Sequence, residues 1–163
     1  GTVRSYFDVS MAMTSAEPPF ELHDPHRPIF THARALPGAK LFNATVKNAI
    51  VCAGSRVQRA TITDAIIGIR SMVRPGARIE RSVVLGADYF ETEAMRARKH
   101  PIGVGENTHI KNTIVDRNAR IGRGVTIRGS RSMKNREGDG YSVRDGIVVV
   151  HKDAVIQDGT VIG

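Results

Sequence analysis

The sequence predicts a mainly β chain that coils as a parallel β-helix of short repeats, preceded by a short helix and a proline-rich connector. Three observations predict it. β-branched residues recur every five or six positions from Val46 onward: Val51, Val57, Ile62, Ile67, Val73, Ile79 and Val84. The series resumes at Val104, Ile110, Val115, Ile121 and Ile127, and again at Val150, Ile156 and Ile162. Small residues (Gly54, Gly76, Ala119, Ala154) follow a few positions later in many repeats. A period near six fits neither an α-helix nor a long alternating strand, whereas it fits hexapeptide rungs that each point one aliphatic side chain inward. The composition agrees. Hydrophobic residues make up 40% of the 163 residues, yet aromatics are only 5% and Trp is absent, so Val and Ile must fill the core.

Residues 1–14 place Val3, Tyr6, Phe7, Val9 and Met13 near a helical period and predict a short amphipathic helix. Such a helix needs a surface to pack on. Residues 15–42 then carry five of the seven prolines, at positions 18, 19, 25, 28 and 37. Proline fixes φ and lacks an N–H donor, so this stretch reads as an extended connector. Linker helix and connector are taken as residues 1–43, and the β-helix as 44–163. Six-residue rungs, three to a coil, imply coils of about 18 residues and about five coils in all. Two stretches interrupt the period. Residues 87–101 are charged and compatible with a short surface helix; residues 129–146 are polar and glycine-rich and read as a loop.

The formal charge is +8, with Lys+Arg 24 against Asp+Glu 16, and most of the cations are arginine. That favours an anionic partner with oxygens to chelate. The basic residues are scattered through the repeats with no aromatic-plus-basic signature, so nucleic acid is not expected as a partner. No apolar run is long enough to suggest a membrane span. The single cysteine, Cys52, sits in an apolar run and reads as packing. His23 and His26 have no further ligand nearby, and no metal site is expected.

Several phrases resemble one family. Gly1-Thr2-Val3-Arg4-Ser5-Tyr6 looks like the linker helix of ADP-glucose pyrophosphorylases (glucose-1-phosphate adenylyltransferases) of the plant and cyanobacterial type. Asp24-Pro25, Pro28-Ile29-Phe30-Thr31, Arg34 and Leu36-Pro37 resemble its connector. Gly86-Ala87-Asp88-Tyr89-Phe90-Glu91-Thr92-Glu93 resembles its MGADYYET stretch, and Pro101-Ile102-Gly103-Val104-Gly105-Glu106-Asn107 its PIGIGENT stretch. Ile114-Val115-Asp116-Arg117-Asn118-Ala119-Arg120-Ile121-Gly122 resembles IIDKNARIG, and Gly146–Ala154 with Asp158–Ile162 resembles the family's C-terminus. The resemblance implies a left-handed coil, an exception to the right-handed crossover rule. It further implies a regulatory and assembly domain of an enzyme that makes ADP-glucose from ATP and glucose 1-phosphate for glycogen or starch. The family's glycine-rich nucleotide loop is not among these residues, so no catalytic residue is assigned and this chain alone is expected to be inactive. ATP and magnesium belong to the family's catalytic domain, and no cofactor is expected in this chain. Expected partners are that N-terminal nucleotidyltransferase domain, further subunits of a homo- or hetero-oligomer (a tetramer in the family), and small phosphorylated effectors such as 3-phosphoglycerate and phosphate. The implied location is the bacterial cytoplasm or the plastid stroma.

Arg117 and Lys152 stand at one offset, each two residues after an inward Val, and so could meet at one edge of the coil. Both match effector-binding lysines of the resembled family, with Arg117 keeping the charge but changing the donor geometry. The alternative is a pair of solvated rim cations. Arg34 and His32 in the connector are further candidates through the resemblance; His32 stands where the family often has Gln. Two other functions remain open at this stage. One is a hexapeptide acyltransferase with His109 as its base. The other is a stand-alone β-helix scaffold that binds nothing small.

Overall fold

The computed structural model describes residues 1–97 and 99–163. Helix α1 spans Val3–Ala12. The strands that follow are β1 Lys40–Phe42, β2 Thr45–Val51, β3 Arg56–Gln58, β4 Thr61–Ile67, β5 Met72–Val73 and β6 Arg78–Val84. A single helical turn, α2, occupies Glu93–Arg96. Then come β7 Gly103–Val104, β8 His109–Val115, β9 Arg120–Ile121, β10 Thr126–Arg128, β11 Arg136–Gly138, β12 Tyr141–Arg144, β13 Ile147–Val150, β14 Val155–Ile156 and β15 Val161–Ile162.

Apart from β11 and β12, these strands form a three-faced parallel solenoid. The first face stacks β1, β3, β5, β7, β9 and β14 in that order. The long strands β2, β4, β6 and β8 each serve the other two faces. They bend at Asn48, Asp64, Arg81 and Asn112, all of which have φ between 40° and 50°. The pairing of β8 shows the bend: its first half pairs with β10 and its second half with β13. A left-handed residue turns the chain in one step, and Asn and Asp tolerate that region better than most side chains. Because the bend uses a single residue, the inward positions on either side are five apart. One coil is therefore shorter than the 18 residues that uniform six-residue rungs predict. Lys40 pairs with Arg56 and Arg56 with Met72, a repeat of 16 residues, and Gly103 pairs with Arg120, a repeat of 17.

The ladder read from the sequence is the core. Val57, Ile62, Ile67, Ile79, Val104, Ile127 and Val150 are fully buried, and the other repeat residues from Val57 onward are buried with them. Each rung buries one such side chain, a contribution of about 1.5–3 kcal/mol. Only stacking makes that burial available, since a lone coil has an open interior on both sides.

Helix α1 finds its surface on the outside of the third face. Phe7 and Met11 pack on Val83, Ile114 and Ile147, with Val3, Ile66 and Val149 around them. Ile66, Val83, Ile114 and Val149 are register partners on successive rungs and form an outward apolar stripe. The third face is thus apolar on both sides, and α1 covers its outer one. Thr2 caps the helix by accepting from the Ser5 N–H at 3.1 Å.

Two segments differ from the sequence expectation. Strand β1 begins at Lys40, inside the stretch assigned to the connector, because Leu41 falls into register with Val57 once the last connector proline is passed. Residues 129–146 are not a plain loop. Strand β12 runs antiparallel to β13 and β11 antiparallel to β12, which places Val143 in the core. The alternation of Tyr141, Ser142 and Val143 gives β13 a partner and removes an open edge.

Candidate functional site

The chain leaves the third face after β6 and returns to the first face at β7, and the intervening insertion folds against the corner between those faces. Gly86 makes the exit. Its φ is +90°, and a Cβ there would run into the Ile69 carbonyl, so glycine is required. The Gly86 carbonyl accepts the Asn118 N–H at 3.0 Å, and the Asp88 N–H donates to Asn118 Oδ1 at 2.9 Å. Asn118 is itself buried, with φ +60°. These bonds seat Asp88 over the corner that follows β8.

Arg117 and Lys152 come to the same point. Val115 and Val150 are register partners, so the residues two positions later stack on adjacent coils, and the Asp153 N–H donates to the Arg117 carbonyl at 3.0 Å. Arg117 Nη1 reaches Asp88 Oδ1 at 2.8 Å, and Lys152 Nζ reaches Asp88 Oδ2 at 3.0 Å. Asn118 Nδ2 adds a third donor to Oδ2 at 3.0 Å. Arg117, then Lys152, hold the Asp88 carboxyl down at about 2, and Asp88 in turn raises Lys152. The two side chains stay accessible, 45% and 53% exposed, so a soluble anion could reach both. Chemically this is a bidentate cation pair already holding one carboxylate.

His32 and Arg34 are exposed in the connector. Arg34 Nη1 donates to the His32 carbonyl at 3.1 Å, and no hydrogen bond or ion pair among the described residues joins either to Arg117 or Lys152. Sequence reasoning found the cation pair but not its two partners, Asp88 and Asn118. The only signal was the resemblance of the two phrases that contain Asp88 and Asn118.

The insertion is fastened by a second, drier contact. Glu91, 5% exposed, accepts from Arg120 Nη1 at 2.6 Å and from the Ile102 N–H at 3.0 Å. Among the described residues no cluster of three or more His, Cys, Asp or Glu could hold a metal. Burial pushes the Cys52 thiol up, away from a reactive thiolate. His109 pairs in register with Arg78 and Thr126 and lines a shallow pocket with Lys111 and Arg128; no carboxylate orients its ring among the described residues. No helix of the described residues is long and apolar enough to cross a membrane.

A family model, the GLGC left-handed parallel beta-helix domain, matches residues 34–161. The chain belongs to the left-handed β-helix domain family of the ADP-glucose pyrophosphorylases. That membership fixes the hand of the coil as left. The chain is also 40% identical to the glucose-1-phosphate adenylyltransferase large subunit 1, chloroplastic/amyloplastic, of Zea mays. The match covers 99% of this chain and 33% of that protein. This member of the family therefore spans about a third of the length of the curated relative it matches. Within the family frame, the insertion with Asp88 and the corners with Arg117 and Lys152 all fall inside the matched residues.

Proposed function

We propose that this domain is the regulatory and assembly part of an enzyme that forms ADP-glucose, and that Arg117 and Lys152 receive a small phosphorylated effector. The observation that carries the reading is the meeting of these two cations, from adjacent coils, on one carboxylate. Two cations that can chelate one carboxylate can chelate a phosphate or a phosphoglycerate. On this reading Arg34 and His32 approach the effector from the connector. The chemistry with ATP, glucose 1-phosphate and magnesium belongs to a catalytic domain outside these 163 residues. The solenoid contributes subunit assembly and effector response in a plastid stroma or a bacterial cytoplasm. The relative's printed name supports the plastid alternative.

The test is a thermal-shift titration at low salt with 3-phosphoglycerate, phosphate and fructose 1,6-bisphosphate. The reading requires a saturable rise in Tm that disappears in Arg117→Ala/Lys152→Ala. A ligand at 100 times its Kd stabilises by about 2.7 kcal/mol, which is readily measured. The same rise in the double variant would place the effector elsewhere.

A further inference from the structure

The insertion also borders a second feature. Between it and the first face lies a cavity of about 490 Å³, within the ~300–1,000 Å³ typical of small-molecule sites. Its lining is strongly basic. Arg56 opens β3, Arg70 and Arg74 flank β5, and Arg96 closes α2; Lys40 adds a fifth cation. The one carboxylate in the lining, Glu91, is committed to Arg120 at 2.6 Å. None of the five cations has a carboxylate within 4.0 Å among the described residues.

Arg74 shows the strain of that arrangement. Its guanidinium is half-buried and donates only to carbonyls, Ile102 at 3.1 Å and Val104 at 3.4 Å. Burial pulls its pKa down, opposed by the more distant charges of Glu91 and Glu106. A half-buried guanidinium without an ion pair, facing a concavity with four more cations, lacks an anion.

The remaining wall is aromatic. Phe90, half exposed, lies with its ring centroid 5.5 Å from the Arg70 guanidinium, and Tyr89 stands exposed beside it. Inorganic phosphate would use the cations and leave the rings idle. An apolar ligand would leave the guanidiniums unpaired. A ligand with a flat ring and a phosphate chain uses both walls, because aromatic rings and arginine planes stack bases of any sequence.

We propose that this cavity is a nucleoside-phosphate site. The base lies on the wall made by Phe90 and Tyr89, and the phosphates lie among Arg56, Arg70, Arg74 and Arg96. The site shares no lining residue with the Arg117–Lys152 pair and does not depend on the effector reading.

Isothermal titration of the 163-residue chain with ADP, pyrophosphate and adenosine tests it. ADP should bind saturably and more tightly than either half. Arg56→Ala/Arg96→Ala should weaken ADP at least about tenfold, the loss expected when charge-assisted phosphate contacts are removed. Phe90→Leu should weaken ADP about five- to tenfold, the low end of stacking contributions, and leave pyrophosphate unchanged. Arg117→Ala/Lys152→Ala should leave ADP binding intact. Thermal melts of each variant confirm folding, and saturation transfer from protein to the adenine protons reports the base contact independently of any substitution. Absence of ADP binding overturns the proposal. So does ADP binding that survives Arg56→Ala/Arg96→Ala, or pyrophosphate binding as tightly as ADP. If ADP binding disappears in Arg117→Ala/Lys152→Ala instead, the nucleotide sits on the cation pair and the cavity assignment fails, while the effector reading stands.

Discussion

Asp88→Asn should strengthen anion binding at the Arg117–Lys152 pair. In the free domain the Asp88 carboxylate occupies both cations, 2.8 Å from one and 3.0 Å from the other, so any incoming phosphate must displace it. The strength of that internal competitor follows from its acidity. The carboxyl is lowered from 3.8 to about 2, which at 1.36 kcal/mol per unit sets an upper bound of roughly 2 kcal/mol. The side chain is 31% exposed and its partners more so, so solvent screening reduces this to roughly 1 kcal/mol. Removing the charge should therefore raise the affinity for 3-phosphoglycerate about fivefold. Calorimetric titration of the wild type and Asp88→Asn at pH 7 measures it. The sign with pH follows from the same shift. The Asp88 contribution to stability is present above its unfolded value of 3.8 and is lost as pH falls through about 2. The Tm difference between wild type and Asp88→Asn should thus be full at neutral pH and close as pH drops from about 4 to 2. Equal or weaker effector binding by Asp88→Asn would refute the competition. It would make Asp88 an organiser of the two cations rather than their occupant.

Three further outcomes follow from the packing. Glu91→Ala should cost about 3–5 kcal/mol in urea unfolding, because it strands Arg120 beside a dry insertion. Glu80→Ala, which breaks the exposed 3.0 Å pair with Lys111, should cost less than about 1 kcal/mol; similar losses from both would contradict the burial argument. Phe7→Ala should cost about 3–5 kcal/mol, since Phe7 is fully buried under α1, and a loss below about 1 kcal/mol would show that α1 does not hold the third face. Gly86→Ala should destabilise by at least about 1–3 kcal/mol through its φ of +90° and the Ile69 carbonyl. It should also make residues 93–97 more sensitive to limited proteolysis; unchanged digestion would mean that the exit from β6 tolerates a shift.

The ladder was legible because an inward rung position accepts little besides Val and Ile, so the period survives in one sequence. The coil length was less legible. Nothing in the residues shows that Asn48, Asp64 and Asn112 turn the chain in one step rather than two, and Arg59 and Arg81 do so with φ of 44° and 40° despite having no preference for it. Neighbouring coils impose those conformations, which a local reading misses. Arg117 and Lys152 were legible from their shared offset to an inward Val. Asp88 was not, since it comes from an insertion 29 residues before Arg117, outside the period altogether. The arginines of the first-face cavity escape for a related reason. They are spread along the chain from position 56 to 96, and only the fold of the insertion over β3 and β5 makes them neighbours.

The insertion after β6 therefore borders both proposed sites. Asp88, which meets Arg117, and Phe90, which meets Arg70, are two residues apart in one segment, and Glu91 pins that segment to Arg120 next in line. Displacement of the Asp88 carboxylate by an effector would free that side chain, while the Asp88 N–H bond to Asn118 Oδ1 at 2.9 Å and the buried Glu91 contact keep the backbone of the segment seated. Linkage then demands reciprocity: if an effector at Arg117 and Lys152 alters nucleotide affinity at the cavity, the nucleotide alters effector affinity by the same factor. Asp88→Asn removes the carboxylate's charge without touching the cavity cations. Coupling carried by the Asp88 carboxylate should therefore disappear in this variant while both bindings stay measurable, whereas coupling that persists in it reflects simple repulsion between two bound anions.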